Sequence, residues 1–264
     1  MTTQSDTITA AALIIGNEIL SGRTHDSNTP WLAEQLVDIG IRLIEVRVVP
    51  DIEAEIISAT NDLRRKANYV FTTGGIGPTH DDITAQSIAR AFDVALELNS
   101  EAYQLLLNHY GDEKEITPPR KKMAMIPQGA RLIYNPVSSA PGFNIENVYV
   151  LAGVPRIMQA MFDYIRTLLT PGKPILSNTI ACSLYESAVA EDLTKLQEKY
   201  AHVDIGSYPH YRGGVLGLSL VVRSTDKDAI DAATQDIVEM IERLGGRPHA
   251  ISLMSGQAHP EDWG

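Results

Sequence analysis

The stretch Thr72-Thr-Gly-Gly-Ile-Gly-Pro-Thr-His-Asp-Asp-Ile-Thr84 sets glycines beside two adjacent aspartates. Glycines let backbone N–H groups approach an anion closely, and a following helix N-terminus favours negative charge. Gly74, Gly75, Ile76, Gly77 and Thr79 therefore form a candidate phosphate cradle. It is not a P-loop, because no Gly-Lys-Ser/Thr follows, and it lacks the third glycine of a dinucleotide fingerprint. Asp81 and Asp82 are the odd feature. Two unit charges about 5 Å apart repel by roughly 3 kcal/mol at an effective dielectric near 20. Carboxylates beside a phosphate cradle make sense with a divalent cation between them, since Mg²⁺ uses one or two carboxylates plus phosphate oxygens. The competing reading is that Asp81 caps the helix and Asp82 favours its dipole.

The elements that position this stretch form an alternating series. Ala10 to Ile15 is a short apolar run that reads as a buried parallel strand. Asn28-Thr29-Pro30 signals a helix start, with Asn28 as cap, and Gly40 ends that helix. Arg42 to Val49 alternates, Ile44, Val46 and Val48 on one face and Glu45 and Arg47 on the other. Asp51 reads as the cap of a helix carrying Ile52, Ile56, Ala59 and Leu63. Tyr69 to Thr73 is a strand, Ile83 to Phe92 a helix, and Val148 to Leu151 a strand before a helix reaching about Leu169. This order predicts an α/β fold: three layers, with a mainly parallel sheet between helices. Ligands bind such sheets beyond the strand C-termini. That edge also gathers Gly16-Asn-Glu-Ile-Leu-Ser-Gly22, Asp26, Asn28 and Pro50-Asp51, where Asp26 has a competing reading as a turn residue and Asp51 as a cap.

Thr170-Pro-Gly-Lys-Pro174 is the expected boundary, with one domain over residues 8–172 and a second over 175–250. In the second, strand, helix, two strands joined at Gly213-Gly214, and the helix Asp226 to Leu244 suggest a small open sheet with helices on one face. The tail from Ser255 is polar and expected to be loose.

The 264 residues carry a net charge of −11, and the one cysteine, Cys182, excludes an intrachain disulfide or a cysteine-based zinc site. The charge argues against a nucleic-acid partner; the densest basic cluster is Arg120-Lys121-Lys122. Gly214-Val-Leu-Gly217 fits the G-x-x-G of RNA-binding modules. Residues 177–248, however, hold seven Lys and Arg against eleven Asp and Glu, which favours a packing or dimer role. The N-terminus lacks a signal-peptide pattern and the apolar runs are too short to span a bilayer, so a cytoplasmic protein without a membrane partner is expected. His80 reads as a phosphate-orienting group or a support of its turn, and Trp31 as core.

With these residues in view, the chain resembles the molybdopterin-binding/CinA-like family, the competence/damage-inducible protein A group. The resemblance covers roughly residues 8–170. It rests on Gly16 to Gly22 with Asp26 and Asn28, on Thr72 to Thr84, on Asn135-Pro-Val-Ser-Ser-Ala-Pro-Gly-Phe143 and on Gly153-Val-Pro155. The distal segment is similar, more weakly, to the KH-like α+β domain that follows in CinA proteins; no stretch matches their nicotinamide-mononucleotide deamidase domain. The resemblance implies metal-dependent hydrolysis of a nucleotide pyrophosphate, ADP-ribose-like or a flavin nucleotide. The alternatives are molybdopterin binding or adenylyl transfer in molybdenum cofactor biosynthesis, or a pterin- or nucleotide-binding module without turnover. It implies Asp51 and Asp82 as catalytic residues, and Asp81, Asp82 and Asp26 as ligands of a Mg²⁺- or Co²⁺-type ion, with K⁺ a further candidate. Asn17, Glu18, Ser138, Ser139 and Gly142 join the cradle as substrate contacts, and a homodimer is expected. The sequence departs from the family at Asn17, where Asp is common, at Ala152 for Pro, and at Ile157 for Glu.

Overall fold

The computed structural model describes residues 7–212 and 215–255. The turn expected at Gly213-Gly214, the start of the G-x-x-G at Gly214 and the tail beyond Ser255 lie outside them. The chain divides into two compact units, with the main boundary between Gly172 and Lys173 and the short Val37–Gly40 segment grouped with the second.

The first unit runs β1 (Thr9–Ile15), α1 (Asn17–Leu20), α2 (Asn28–Asp38), β2 (Arg42–Val49), α3 (Glu53–Lys66), β3 (Tyr69–Thr73) and α4 (Thr84–Ala91). It continues with β4 (Leu96–Leu98), α5 (Ser100–Tyr110), a 3₁₀ turn at Glu113–Glu115, α6 (Pro118–Lys122), β5 (Met125–Pro127), β6 (Arg131–Ile133), β7 (Gly142–Ile145), β8 (Val148–Leu151) and α7 (Pro155–Arg166). The central sheet has the order β2-β1-β3-β8-β7-β6. β1 pairs in parallel with β2 and β3, and β3 with β8; β7 runs antiparallel to both its neighbours. β4 and β5 form a separate antiparallel pair. The mainly parallel α/β architecture is as expected.

Apolar alternation places this sheet between two layers. Ala11, Leu13 and Ile15 of β1 pack with Ile56, Ala59 and Leu63 of α3, Ile88 of α4 and Leu106 of α5. On the other face Phe71 of β3 meets Phe162 of α7 at 5.6 Å between ring centroids, and half-buried Trp31 of α2 meets Phe162 edge-on at 5.5 Å.

β2 has the expected two faces, and the structure decides which of them is covered. Ile44, Val46 and Val48 are the exposed residues. Glu45 and Arg47 turn toward α3, where Arg47 pairs with Asp62 (3.1 Å) and Glu45 with Lys66 (3.1 Å). At a sheet edge, a charged face fully partnered by a helix can take the covered side.

The second unit runs β9 (Leu176–Cys182), α8 (Glu186–Lys199), β10 (Asp204–Arg212), β11 (Val215–Ser224), α9 (Lys227–Arg243) and β12 (His249–Ser255). Its sheet, β10-β11-β9-β12, is antiparallel throughout. Ile230, Ala233, Ile237 and Ile241 of α9 close a core with Val189 of α8, Ile180, Cys182, Leu218, Leu220 and Val222. This is an α+β unit with one strand, β12, more than the sequence pattern suggested. None of the helices among the described residues is long and apolar enough to cross a membrane.

Candidate functional site

Four strand ends supply the site. Each parallel strand stops where its apolar run meets a glycine or a proline: Ile15 before Gly16, Val49 before Pro50, Thr73 before Gly74, Leu151 two residues before Gly153. The loops are held tightly together. The Gly16 N–H donates to the Val49 carbonyl (3.2 Å), the Gly74 N–H to the Leu151 carbonyl (3.2 Å), and the Asn28 side-chain amide to the Gly153 carbonyl (2.8 Å). Gly142 opens β7 opposite the end of β8, so residues 134–141 join the same edge.

Glycine is required in the cradle for stated reasons. Gly74 has φ +104°, and a Cβ there would meet the Ile15 carbonyl oxygen at 2.1 Å. Gly75 has φ +68°, and its Cβ would meet Thr84 Oγ1 at 2.2 Å. That hydroxyl donates to the Gly74 carbonyl (2.9 Å), while the Thr84 N–H donates to the Gly75 carbonyl (3.0 Å). The loop is thus pinned to the first residue of α4. Among the described residues, the N–H groups of Gly75, Ile76 and Gly77 donate to no protein acceptor, which leaves three donors at the N-terminal end of α4.

The aspartates do not cap that helix. Asp82 Oδ2 accepts from the Thr79 N–H (2.7 Å), and the Thr79 hydroxyl lies between Asp81 Oδ1 (2.6 Å) and Asp82 Oδ2. The residue before α4 is Ile83, which has no side-chain cap. Since one hydroxyl touches both, the two carboxylates stand close together as like charges that repel. The hydrogen bond from Thr79, then that from its own backbone N–H, then the nearby His80 and Lys122 charges hold the Asp81 carboxyl below the usual range. Lys122 Nζ donates to the Thr79 carbonyl (2.5 Å) and so brings a cation to the same turn. His80 itself points into solvent, its side chain 96% exposed and 3.9 Å from Asp81.

Asp51 and Asn17 do meet. Asp51 Oδ2 accepts from the Asn17 N–H (2.9 Å), which fastens the start of α1 to the end of β2. Asp51 is therefore no helix cap: the residue preceding α3 is Ile52. Glu18 folds back over Gly16, where an added Cβ would lie 2.4 Å from its Oε1. Asp26 Oδ1 accepts from the N–H groups of Asn28 (2.9 Å) and Thr29 (3.1 Å), so Asp26, not Asn28, caps the start of α2. The trio Asp26, Asp81 and Asp82 does not come together as a ligand set. Among the described residues no group of three or more His, Cys, Asp or Glu side chains could hold a metal. Asp26 is spent on its own helix; Asp81 and Asp82 remain a pair, which suits a hydrated ion that completes its shell with phosphate oxygens.

The residue 135–142 loop is built around buried Asn135. Its Oδ1 accepts from Val137 N–H (2.9 Å) and Ser138 N–H (3.2 Å), and its Nδ2 donates to Ser138 Oγ (2.6 Å) and the Ala140 carbonyl (3.0 Å). Ser138 Oγ accepts there and keeps its proton to give. Ser139, at φ +61°, lies 3.4 Å from His109 Nδ1.

A cleft of about 110 Å³ opens beside the cradle, lined by Gly75, Ile76, Gly77 and Asp82 together with Lys122, Met123, Met125 and Phe143. Phe143 ends the Asn135–Phe143 motif already placed at this edge, whereas Lys122, Met123 and Met125 were not expected here. Lys122 lay within the basic cluster weighed only as a nucleic-acid patch, and the methionines sit on the short α6–β5 segment that has no periodicity to reveal it.

The glycine-lined C-terminal edge of a parallel sheet, here carrying paired aspartates, is the ligand-binding edge of an open α/β protein. Residues 11–171 match the family described as "Probable molybdopterin binding domain". Residues 174–245 match "FAD synthase, middle domain". A protein of Archaeoglobus fulgidus is 30% identical over 86% of this chain and 95% of its own length. One of Pyrobaculum calidifontis is 34% identical over 89% and 96%. The crystal structure of CinA from Thermoplasma acidophilum, described as a protein of unknown function, is 34% identical, with a TM-score of 0.59, and the match spans 62% of this chain and 98% of that one. The chain belongs to the molybdopterin-binding-domain family, in its CinA-like branch.

Proposed function

We propose that the protein is a metal-dependent hydrolase of a nucleotide pyrophosphate, and that a flavin nucleotide is the first substrate to test. The observation that carries this reading is the Asp81–Asp82 pair on a cradle of three unpartnered N–H groups. Donors invite a phosphate and the carboxylates repel it, a conflict that a cation resolves. A divalent ion held by Asp82 with Asp81 would neutralise the phosphates and acidify a water molecule. The chain's own groups do the rest. The Gly75, Ile76 and Gly77 N–H groups orient the phosphates and stabilise charge gathering on their oxygens. Asp51, across the edge, is the candidate general base for the attacking water, at the cost of sharing one oxygen with Asn17 N–H. Lys122 balances the carboxylates, and the half-buried Ile76, Met123 and Met125 offer apolar surface to a ring. Water adds to one phosphorus and the P–O–P bond breaks, so FAD yields FMN and AMP.

The likeness of the second unit to a domain of FAD synthase supports a flavin nucleotide over ADP-ribose. The competing reading is a pterin or nucleotide carrier without turnover; the missing acids at Asn17 and Ile157 favour it. The test is purified full-length protein with FAD, ADP-ribose, NADH, or molybdopterin plus ATP, each with Mg²⁺ or Co²⁺. FMN and AMP from FAD is the expected outcome. Adenylylated pterin identifies a transferase, and tight binding without product identifies a carrier.

A further inference from the structure

Lys122 is a cation drawn partly out of water with no carboxylate in contact. It ends α6 and is half-buried at the cleft. Its Nζ donates to the Thr79 carbonyl (2.5 Å), and among the described residues it has no other acceptor and forms no ion pair. Arg23, Arg42, Lys114, Lys121 and Arg131 also lack an ion pair, but each stands exposed in water. An ammonium that loses part of its hydration is stabilised in full only by a counter-charge. Such a cation at a cleft wall is a place for an anion.

The chain around Lys122 holds it there. Ala124 and Ile126, just beyond it, are buried in the core of the first unit. The cleft it lines is also lined by Gly75, Ile76 and Gly77, whose N–H groups have no protein acceptor. The Asp82 carboxylate lies between these parts. Its Oδ2 accepts from Thr79 N–H (2.7 Å), and a Cβ added at Gly77 would lie 2.7 Å from the same oxygen. Lys122 is the one cation among the residues lining the cleft, and Asp82 the one anion. Two protons of the ammonium are not used by Thr79.

We propose that Lys122 is a phosphate-binding residue that holds the pyrophosphate of a nucleotide on the cradle without a metal ion. This rests on the reading of the cradle as a pyrophosphate site and deepens it. The glycine-loop N–H groups supply direction, and Lys122 supplies the full positive charge. With Lys122 present, the Asp82 charge at the cleft is offset and the N–H groups decide the outcome; without it, Asp82 repels the phosphates. Nucleotide binding and metal binding are therefore separable. Phosphates are held by Lys122 and the cradle, and the ion enters against carboxylates that already face a bound phosphate.

The test is calorimetric titration of the full chain with ADP in EDTA at low ionic strength, with thermal melts of each variant. Mn²⁺ binding in the absence of nucleotide is followed separately by electron paramagnetic resonance. The wild type is expected to bind ADP without metal. Lys122→Met keeps an apolar stem and drops the charge, so it should weaken that binding roughly tenfold or more, while Lys122→Arg retains most of it. Mn²⁺ affinity of Lys122→Met should hold or tighten, because a neighbouring cation has gone. Should the Met variant melt early, Lys122→Gln serves instead, since it keeps a donor for the Thr79 carbonyl. A wild type that binds ADP only with Mn²⁺ overturns the inference. So does a folded, uncharged variant that binds ADP in EDTA as tightly as the wild type. Loss of Mn²⁺ affinity in Lys122→Met also overturns it, and makes Lys122 a support of the carboxylate turn. No ADP binding with or without Mn²⁺ removes the pyrophosphate reading itself, and this inference with it.

Discussion

Asp82 and Asp51 make different demands on a conservative replacement. Asp82→Asn keeps an acceptor for Thr79 N–H but halves the charge of the pair, so turnover on the responsive nucleotide should fall on the order of 10²–10⁴ with little change in melting temperature. Asp51→Asn still accepts from Asn17 N–H through its carbonyl oxygen, so its fold should also hold while turnover drops comparably. Wild-type rates in both variants would turn the carboxylates into structural groups and leave the carrier reading. Asp26 separates the roles in the opposite sense. Asp26→Ala should cost about 1 kcal/mol through the lost cap of α2, and metal dependence should stay as in the wild type. A shifted metal requirement in that variant would return Asp26 to the ligand set. The cradle glycines were legible because glycine spacing is a backbone requirement written directly into the chain. The partners of the carboxylates were not, since whether an aspartate caps a helix or faces a hydroxyl depends on where the helix starts, a matter of one or two residues at Ile83 and Ile52. Gly75→Ala tests the cradle itself. Its positive φ costs about 1–2 kcal/mol for any other residue, and the methyl must displace Thr84 Oγ1, so both melting temperature and nucleotide binding should fall.

At the scale of elements, buried strands were the easiest to read. β1, β3 and β8 are short apolar runs ended by glycine, which leaves no choice of face. β2 shows where alternation stops being sufficient: it gives the period but not which side is covered, and the ion pairs of Glu45 and Arg47 with α3 decided that. Residues 93–133 carry short strands and helices, such as β4, β5 and α6, below the length at which periodicity identifies anything, and they are the ones that wall the cleft. The α8–α9 pair adds a pH-dependent link. The hydrogen bond from Lys199 holds the Asp236 carboxyl below its ordinary value; burial opposes it, and the Tyr200 hydroxyl adds to the lowering. A carboxyl depressed in the folded state stabilises it above the unfolded pKa, and the contribution is lost as pH falls through the folded pKa. Asp236→Asn should therefore lower the melting temperature by no more than a few degrees near neutrality, and the gap should close as pH drops below the carboxylate range. A gap that is constant with pH would mean that packing, not charge, holds the two helices there.

For the whole molecule, the two units have separate cores, one around the parallel sheet and one around α9. We propose that they are distinct folding domains with the boundary between Gly172 and Lys173. Proline and glycine at Thr170-Pro-Gly-Lys-Pro174 marked this point in the sequence because neither continues a helix or a ladder. Ile237 is fully buried in the second core, and Ile237→Ala should cost about 2–5 kcal/mol there by leaving a cavity under α9. If the cores fold independently, that cost stays local. Hydrogen exchange should show faster amide exchange throughout β9 to β12, while β1, β3 and β8 keep wild-type protection, because local stability follows the cooperative unit to which a strand belongs. The site lies wholly on loops of the first sheet, so nucleotide binding should survive the substitution at temperatures where the second unit has melted. Equal loss of protection in β3 and β11 would show that the chain unfolds as one unit, and would make the second domain a structural requirement of the site.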